Sequence, residues 1–345
     1  MDTVLITGGA GFFGDILKHS LLERGYKVVS IDLEHDESVH ENLVTVQGDI
    51  RDSFLLDSLC TQHTFSAVFH LAAILAHAVK DKDFLWSCNV DGTREVVAAM
   101  KRHGIRKIIH TSTNCLWGEP MGRPITEDDE PHPIEIYGKS KREGEKILLA
   151  GSPNIIPVII RCPTIMDEGR LGLLAILFEF IDEGRTVWVV GGGDNTYQFI
   201  YAQDLVDACI RALTLTEPVV LNIGSENVKS FRDVYNSVIQ RAGTKSRVGT
   251  LPKGPTLFAM RIAYMLGISP LGPYQYKMIA ESFEFDTHKI RRVLDWKPTL
   301  TNEDMLFKAF EHYHKNRADI ENRTGVSAHK QGAKMGIIRL LKWFS

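Results

Sequence analysis

Val4-Leu5-Ile6-Thr7-Gly8-Gly9-Ala10-Gly11-Phe12-Phe13-Gly14, close to the start of the chain, decides the fold. Val4 to Ile6 is an apolar run of strand type. Asp15 to Arg24 carries Ile16, Leu17, Leu21 and Leu22 on one side of a helix. Gly8, Gly11 and Gly14 join the two. A glycine-rich turn lets backbone approach a pyrophosphate, and the helix N-terminus offers N–H groups and a positive dipole end to the charge. The Gly-x-x-Gly-x-x-Gly spacing is looser than Gly-x-Gly-x-x-Gly, so a purely structural turn stands beside the ligand reading. The next element favours the ligand. Lys27 to Ile31 is a second strand, closed by Asp32. An acid there binds adenosine ribose hydroxyls and repels a 2′-phosphate, which predicts NAD over NADP. Alone, Asp32 reads equally as a solvated strand-end carboxylate.

The chain then alternates. Leu43 to Val46, Ala67 to Leu71, Lys107 to Ser112 and Ile155 to Ile160 read as strands; Phe54 to Cys60, Phe84 to His103 and Tyr137 to Ala150 read as helices. Near-continuous apolar strands separated by helices imply a parallel sheet covered on both faces. Right-handed crossovers make it a doubly wound α/β sheet with ligands at the carboxyl ends of its strands.

Thr111-Ser112-Thr113 ends the fifth of these strands, and Tyr137-Gly138-Lys139-Ser140-Lys141 opens the helix that follows. An unperturbed phenol, pKa about 10, is too weakly acidic to act as a base near neutrality. Lys141, at i+4, lies on the same helix face as Tyr137, where its charge would favour the phenolate. Thr113 would hold the substrate oxygen that loses or gains the proton. A Tyr/Lys pair at this spacing is common on solvent-facing helices. Its place beside the strand carrying Thr113, at the sheet edge served by Gly8, makes the catalytic reading the stronger one.

These residues carry a resemblance. From Thr7 to about Pro298 the chain resembles the extended short-chain dehydrogenase/reductases, above all their NAD-dependent nucleotide-sugar epimerases, dehydratases and ketoreductases. The resemblance implies a Rossmann-like domain with a smaller substrate lobe. It places Gly8, Gly11, Phe12, Phe13 and Gly14 in the cofactor loop. Gly48-Asp49-Ile50 matches a strand end whose Asp49 and Ile50 would contact adenine. His70-Leu71-Ala72-Ala73 matches the stretch beside the cofactor diphosphate, so Leu71, Ala72 and Ala73 would line it. Asn89 would support the active site, with Thr113, Tyr137 and Lys141 as the catalytic set. The last two would also touch the cofactor.

Three departures from that pattern follow. First, Asn114-Cys115 follows Thr113 where dehydratases and decarboxylases carry acids. Thr113-Asn114-Cys115-Leu116-Trp117 is instead similar to a pattern in GDP-fucose synthase and GDP-mannose 3,5-epimerase, where the cysteine is an acid/base. Two readings of Cys115 stand: a catalytic thiol, titrating near 8.5 if unperturbed, or a small buried residue at a strand end. No basic partner is evident at the family's position near Gly169. Second, Tyr197 stands where many members have an arginine for the substrate diphosphate, with Lys277 the nearest basic candidate for a second such arginine. Losing a bidentate clamp weakens the case for an ordinary nucleotide sugar. Third, Pro255 to Leu271 is apolar with only Arg261 charged, and Asp319 to Gln331 reads as a polar linker. Lys334 to Ser345 forms a basic amphipathic pattern in which Ile337, Ile338, Leu340, Leu341 and Phe344 share a side. Such a tail fits either a membrane interface or an apolar surface of the protein itself. These features are similar to polyprenyl-diphosphate-sugar epimerases and 3β-hydroxysteroid dehydrogenase-like proteins.

Composition sets wider limits. With 345 residues, 44% of them hydrophobic, the chain can bury a full core and a second lobe. A net charge of −3 gives no reason to expect nucleic acid. The five cysteines show neither metal-ligand spacing nor a disulfide framework, which suits a reducing cytosol. No metal is expected. No apolar run is long enough to span a bilayer, so the expectation is a cytoplasmic protein with peripheral membrane contact through the tail. The expected organisation is an NAD-binding domain over 1–165, with 202–223 returning to it, a substrate lobe over 166–320, and a linker and tail over 321–345. The expected activity is epimerisation of a sugar nucleotide or related glycoconjugate, the substrate being nucleotide- or lipid-linked. The alternatives are a net dehydrogenase or ketoreductase of a keto-sugar or hydroxysteroid-like lipid, and a non-catalytic NAD-binding protein. The resemblance further implies a homodimer.

Overall fold

The computed structural model describes residues 2–75, 81–151, 153–268 and 272–322. Strand and helix alternate as β1 (Thr3–Thr7), α1 (Phe12–Glu23), β2 (Lys27–Asp32), β3 (Leu43–Gln47), α2 (Ser53–Gln62), β4 (Phe65–His70), α3 (Lys82–Trp86), α4 (Gly92–Arg102), β5 (Lys107–Thr113), α5 (Ile136–Ala150) and β6 (Ile156–Cys162). Then come β7 (Thr164–Met166), α6 (Leu174–Asp182), β8 (Thr186–Val190), β9 (Phe199–Tyr201), α7 (Ala202–Arg211), β10 (Val219–Asn222), α8 (Phe231–Ala242) and β11 (Arg247–Leu251). The described chain closes with α9 (Lys253–Met265), α10 (Pro273–Met278), α11 (His288–Leu294), α12 (Asn302–Lys315) and α13 (Arg317–Asn322).

Seven strands form one parallel sheet in the order β10-β6-β5-β4-β1-β2-β3. This is the doubly wound sheet expected from the alternation. Its strands are nearly continuous in buried apolar residues because helices cover both faces. Leu17 and Leu21 of α1, Leu205 of α7 and Trp296 pack on one face. Leu56 of α2, Met100 of α4 and Leu148 of α5 pack on the other. The direction of winding reverses between β1 and β4, so the crevice for a ligand opens above Thr7 and His70.

A second core, with Phe178, Val238, Met305 and Phe310, joins α6, α8 and α12 around the parallel pair β8 and β11. The short pair β7 and β9 runs between the two cores. β10 and α7 return the chain to the main sheet and to α1.

Two local expectations change. The helix over Phe84 to His103 is interrupted by a π-helical turn, Ser87–Asp91, which holds Asn89. Such turns insert one residue and often sit at functional sites. Asp319 to Asn322 belong to α13 rather than to a linker; the remaining linker and the basic tail lie outside the described residues.

Candidate active site at the carboxyl ends of β1, β4 and β5

The cradle is built from glycine. Gly8 has φ of +81°, and a Cβ there would stand 2.7 Å from the Ala72 amide nitrogen. At Gly14 a Cβ would meet the Gly8 carbonyl oxygen at 2.0 Å. The β1–α1 turn can therefore lie flat on the stretch after β4 only because these positions lack side chains. Leu71 donates its amide to Thr7 O at 3.0 Å, and Ala72 donates to Thr7 Oγ1 at 3.3 Å, which locks that stretch in place. Gly11 caps α1 with no side-chain hydrogen bond, so the positive end of the helix dipole faces the turn. Asp32 holds the turn from the next strand: Oδ2 accepts from the Ala10 amide at 2.9 Å and Oδ1 from Glu34 at 3.1 Å. Residues of this kind fit a dinucleotide: bare backbone for the diphosphate and a carboxylate at the second strand for ribose hydroxyls.

At the far side, Arg51 grips Asp49 through Nε at 2.9 Å and holds its carboxyl below the ordinary range. Ile50 is buried against Gly92. Asn89 ties the post-β4 stretch to α5. Its Oδ1 accepts from Ile74 at 2.7 Å, and its Nδ2 donates to Ile74 O and to Ser140 Oγ, each at 3.0 Å.

Thr113, Tyr137 and Lys141, the set expected from the sequence, lie at the end of β5 and the start of α5. Gly138 lets the start of α5 press on the turn after β5, where a Cβ would stand 2.1 Å from the Cys115 carbonyl. This brings the Tyr137 phenol to face the Thr113 hydroxyl. Burial raises the phenol above its usual range; Cys115 and Cys162 add to the rise, and Thr113 and Arg170 oppose it. Lys141 is buried on the floor, its Nζ donating to Thr111 O at 2.8 Å and to His110 Nε2 at 3.0 Å. Burial lowers its ammonium to about 8, with Glu145 opposing.

Cys115 is partly buried beside Thr113, and burial pushes its thiol up to about 11. The thiol is protonated at neutral pH, so it can give a proton but not take one. Tyr197 is buried, its hydroxyl accepting from Asn114 Nδ2 at 2.8 Å and lying 3.1 Å from Thr164 Oγ1. Lys277, the basic candidate from sequence, is committed to Glu119 at 2.6 Å.

Two residues escaped the sequence reading. His110 lies under Lys141, stacked on His70 with ring centroids 5.0 Å apart. The expectation that no basic residue serves the site near Gly169 is corrected by Arg170: it stands directly after Gly169, whose φ is +75°, and lies within electrostatic range of Tyr137 and Tyr197. Its guanidinium lies 5.9 Å from the centre of the Phe12 ring in the glycine turn. The Gly-Arg dipeptide was the available signal; nothing local showed that it points inward.

Residues 4–224 match the family model described as the NAD dependent epimerase/dehydratase family. The uncharacterized protein y4nG of Sinorhizobium fredii is 36% identical, covering 99% of this chain and 86% of its own. The UDP-glucose 4-epimerase of Mycolicibacterium smegmatis is 27% identical over 90% of this chain and 97% of its own. Among solved structures, a UDP-glucose 4-epimerase of Thermotoga maritima, determined with UDP-glucose, superposes with a TM-score of 0.76. It is 23% identical and covers 91% of this chain and 99% of its own.

Proposed function

The chain belongs to the NAD dependent epimerase/dehydratase family, and we propose that within it the enzyme is an epimerase of a nucleotide-linked or related sugar. The observation that carries this is the Tyr137 phenol set against Thr113 at the end of β5, with Lys141 anchored to Thr111 of the same strand, beside the glycine cradle. Bound in that cradle, NAD supplies the acceptor and later the donor of a hydride. Thr113 holds the substrate oxygen. In the ligand-free site the Tyr137 phenol is protonated; the positive charges of Lys141 and of an oxidised nicotinamide ring would favour its phenolate, which takes the hydroxyl proton as the ketone forms and returns it to the epimeric alcohol. Lys141, pinned by His110 and Thr111, sets the charge beneath the phenol. Gly8, Gly11 and Gly14 admit the diphosphate of the cofactor, Asp32 selects NAD, and Asp49, Ile50 and Leu71 to Ala73 complete its walls.

The test is incubation of the NAD-loaded enzyme with UDP-glucose and UDP-galactose, followed by separation of the sugars. Epimer formation without release of NADH supports the reading. Net NADH formation supports the dehydrogenase alternative instead. A product lacking water supports a dehydratase and refutes both.

One observation favours a lipid-linked carrier. Helix α9 is apolar on both faces, yet only Ala263 is buried; Phe258 is 66%, Met265 76% and Leu266 67% exposed. From Pro252 to Ala280 the sequence holds Lys253, Arg261 and Lys277 and no acid. A basic, apolar helix of this kind lies in the headgroup region of an anionic bilayer. Among the described residues, no helix is long and apolar enough to cross a membrane. A homodimer through α3, α4 and α5 is part of the same proposal; Trp86 and Leu149 stand exposed there.

A further inference from the structure

Near Phe12 and the phenols of Tyr137 and Tyr197 lies a partly buried arginine with two unpartnered donors. Nε and Nη1 of Arg170 are sealed from solvent and hydrogen-bond no other atom among the described residues. A guanidinium cannot shed its proton to escape burial. Burial depresses its pKa to about 10, with the phenols of Tyr197 and Tyr137 opposing, which places both hydroxyls within electrostatic range of it. The neighbouring acids are engaged elsewhere. Asp167 faces Lys308 at 2.8 Å, and Glu168 also lies near Lys308, at 3.6 Å. The Arg170 guanidinium stands over the Phe12 ring, in the glycine turn.

The chain is built to bring it there. β7 pairs with β9, setting Thr164 opposite Phe199 and the Thr164 hydroxyl beside the Tyr197 hydroxyl. The loop after β7 then turns at Gly169 and returns toward Tyr137. Tyr197 is neutral, and Lys277 is occupied by Glu119, so neither offers a charge to the cavity. Trp117 Nε1, also buried, has no hydrogen-bond partner among the described residues, and the buried Tyr274 hydroxyl lies beside Cys115 and Tyr197. Burying unpaired donors is unfavourable unless a ligand completes them.

We propose that Arg170 is the substrate's oxyanion receptor: its free fork takes a phosphate or carboxylate oxygen of the substrate on the side of the site that holds Tyr137 and Tyr197. This rests on the reading of the site as one for an anionic sugar conjugate. A planar fork binds such a group through two parallel hydrogen bonds, which a lysine cannot reproduce. Ligand-free, the buried charge is a strain on the fold; ligand-bound, it is satisfied.

Two sources could supply the oxyanion: the substrate or the diphosphate of NAD. The experiment separates them. Arg170→Met and Arg170→Lys are compared with the parent protein in three measurements: ligand-free melting, calorimetric binding of NAD, and calorimetric binding of UDP and of inorganic pyrophosphate to the NAD-loaded enzyme. Arg170→Met should melt several degrees higher than the parent when ligand-free, because it removes an unpartnered charge. It should bind UDP and pyrophosphate at least tenfold more weakly, Arg170→Lys should fall between, and NAD affinity should stay within twofold in all three. A structural arginine would give the opposite melting shift and overturn the proposal. So would equal pyrophosphate binding by parent and Arg170→Met, or a loss confined to NAD. Parent protein that binds pyrophosphate but not UDP would refute the nucleotide carrier while supporting the receptor.

Discussion

Nζ of Lys141 lies 3.0 Å from Nε2 of His110, inside the sheet rather than at its rim. The other ring nitrogen, Nδ1, donates to the His70 carbonyl at 3.0 Å, which leaves Nε2 with its lone pair toward the amine. Burial and then the Lys141 charge keep His110 well below its usual range, so it stays neutral and accepts from the lysine. A neutral imidazole thus fixes the Lys141 amine in space without adding charge beside it. The register of the sheet explains the pairing: His70 on β4 sits opposite His110 on β5.

That environment makes the first prediction. Lys141 has a folded pKa of about 8, below the unfolded value of about 10.4. The folded state releases this proton first, so the unfolded state binds more protons between the two values. Stability contributed by this site therefore rises as pH climbs from about 8 to about 10.4, by at most about 3 kcal/mol. Urea unfolding of the ligand-free protein and of Lys141→Met across that range should show the difference growing with pH. A constant difference would mean that Lys141 titrates normally when folded.

The phenol makes the second. In Tyr137→Phe the ring still fills its place on α5 and the cradle is untouched. Turnover should fall roughly 10²–10⁴-fold, the usual worth of a positioned acid/base, while NAD binding measured by calorimetry stays unchanged. Near-parental turnover would remove Tyr137 from the mechanism.

Asp32 makes the third. Its carboxylate, at the end of β2, holds the Ala10 amide. The parent protein should prefer NAD to NADP by about tenfold or more, about 1.4 kcal/mol. Asp32→Ala should narrow that preference and weaken NAD as well, since the turn loses its anchor. Equal binding of NADP by the parent protein would sink the assignment.

Sequence carried the reading as far as local periodicity and short spacing reach. The strand-glycine-helix opening, the alternation behind it and the i, i+4 relation of Tyr137 and Lys141 are all properties of neighbouring residues. What lay beyond reach depends on pairing across the fold. His110 looks like one more strand residue until β4 and β5 are set side by side. Arg170 looks like a loop cation until the left-handed turn at Gly169 and the β7–β9 pair direct it inward. The π-helical turn around Asn89 is a one-residue insertion in a pattern that still reads as helix, because hydrophobic periodicity tolerates a single slip. Lys277 shows the converse: close in sequence to the expected position, it is taken by Glu119 at the surface.

Arg161 and Glu145 make the fourth prediction. They form a buried two-point pair, Nε to Oε1 at 3.0 Å and Nη2 to Oε2 at 2.8 Å, joining β6 to α5 one turn beyond Lys141. Arg161 also lies over the Trp117 ring. Removing one partner leaves the other charge buried and unpaired, so Glu145→Ala should destabilise the fold by roughly 3–5 kcal/mol in urea unfolding. A double variant, Glu145→Leu with Arg161→Met, should recover much of that loss, because no orphan charge remains. If the single variant costs less than about 1 kcal/mol, the pair is more solvated than its geometry indicates.

The last prediction concerns α9. Leu257, Met260 and Ala263 turn toward the protein, whereas Phe258, Ile262, Met265 and Leu266 form a stripe on the opposite side. A helix apolar all round belongs inside a core or a membrane, and only one of its faces has a core. Just beyond it, α10 carries Tyr274, which lies buried near Cys115 and Tyr197. A bilayer against α9 would therefore lie close to the substrate side of the cavity, where a lipid-linked sugar would enter. Full-length protein should sediment with vesicles containing phosphatidylserine and lose this when Phe258, Met265 and Leu266 are changed together to Ser. Turnover of a soluble nucleotide sugar should stay near that of the parent, because none of the three side chains faces the catalytic residues. High salt should weaken binding through Arg261 and leave the apolar part. Vesicle binding that survives the triple change assigns the membrane contact elsewhere, and loss of a dimer in its place makes the stripe a protein interface.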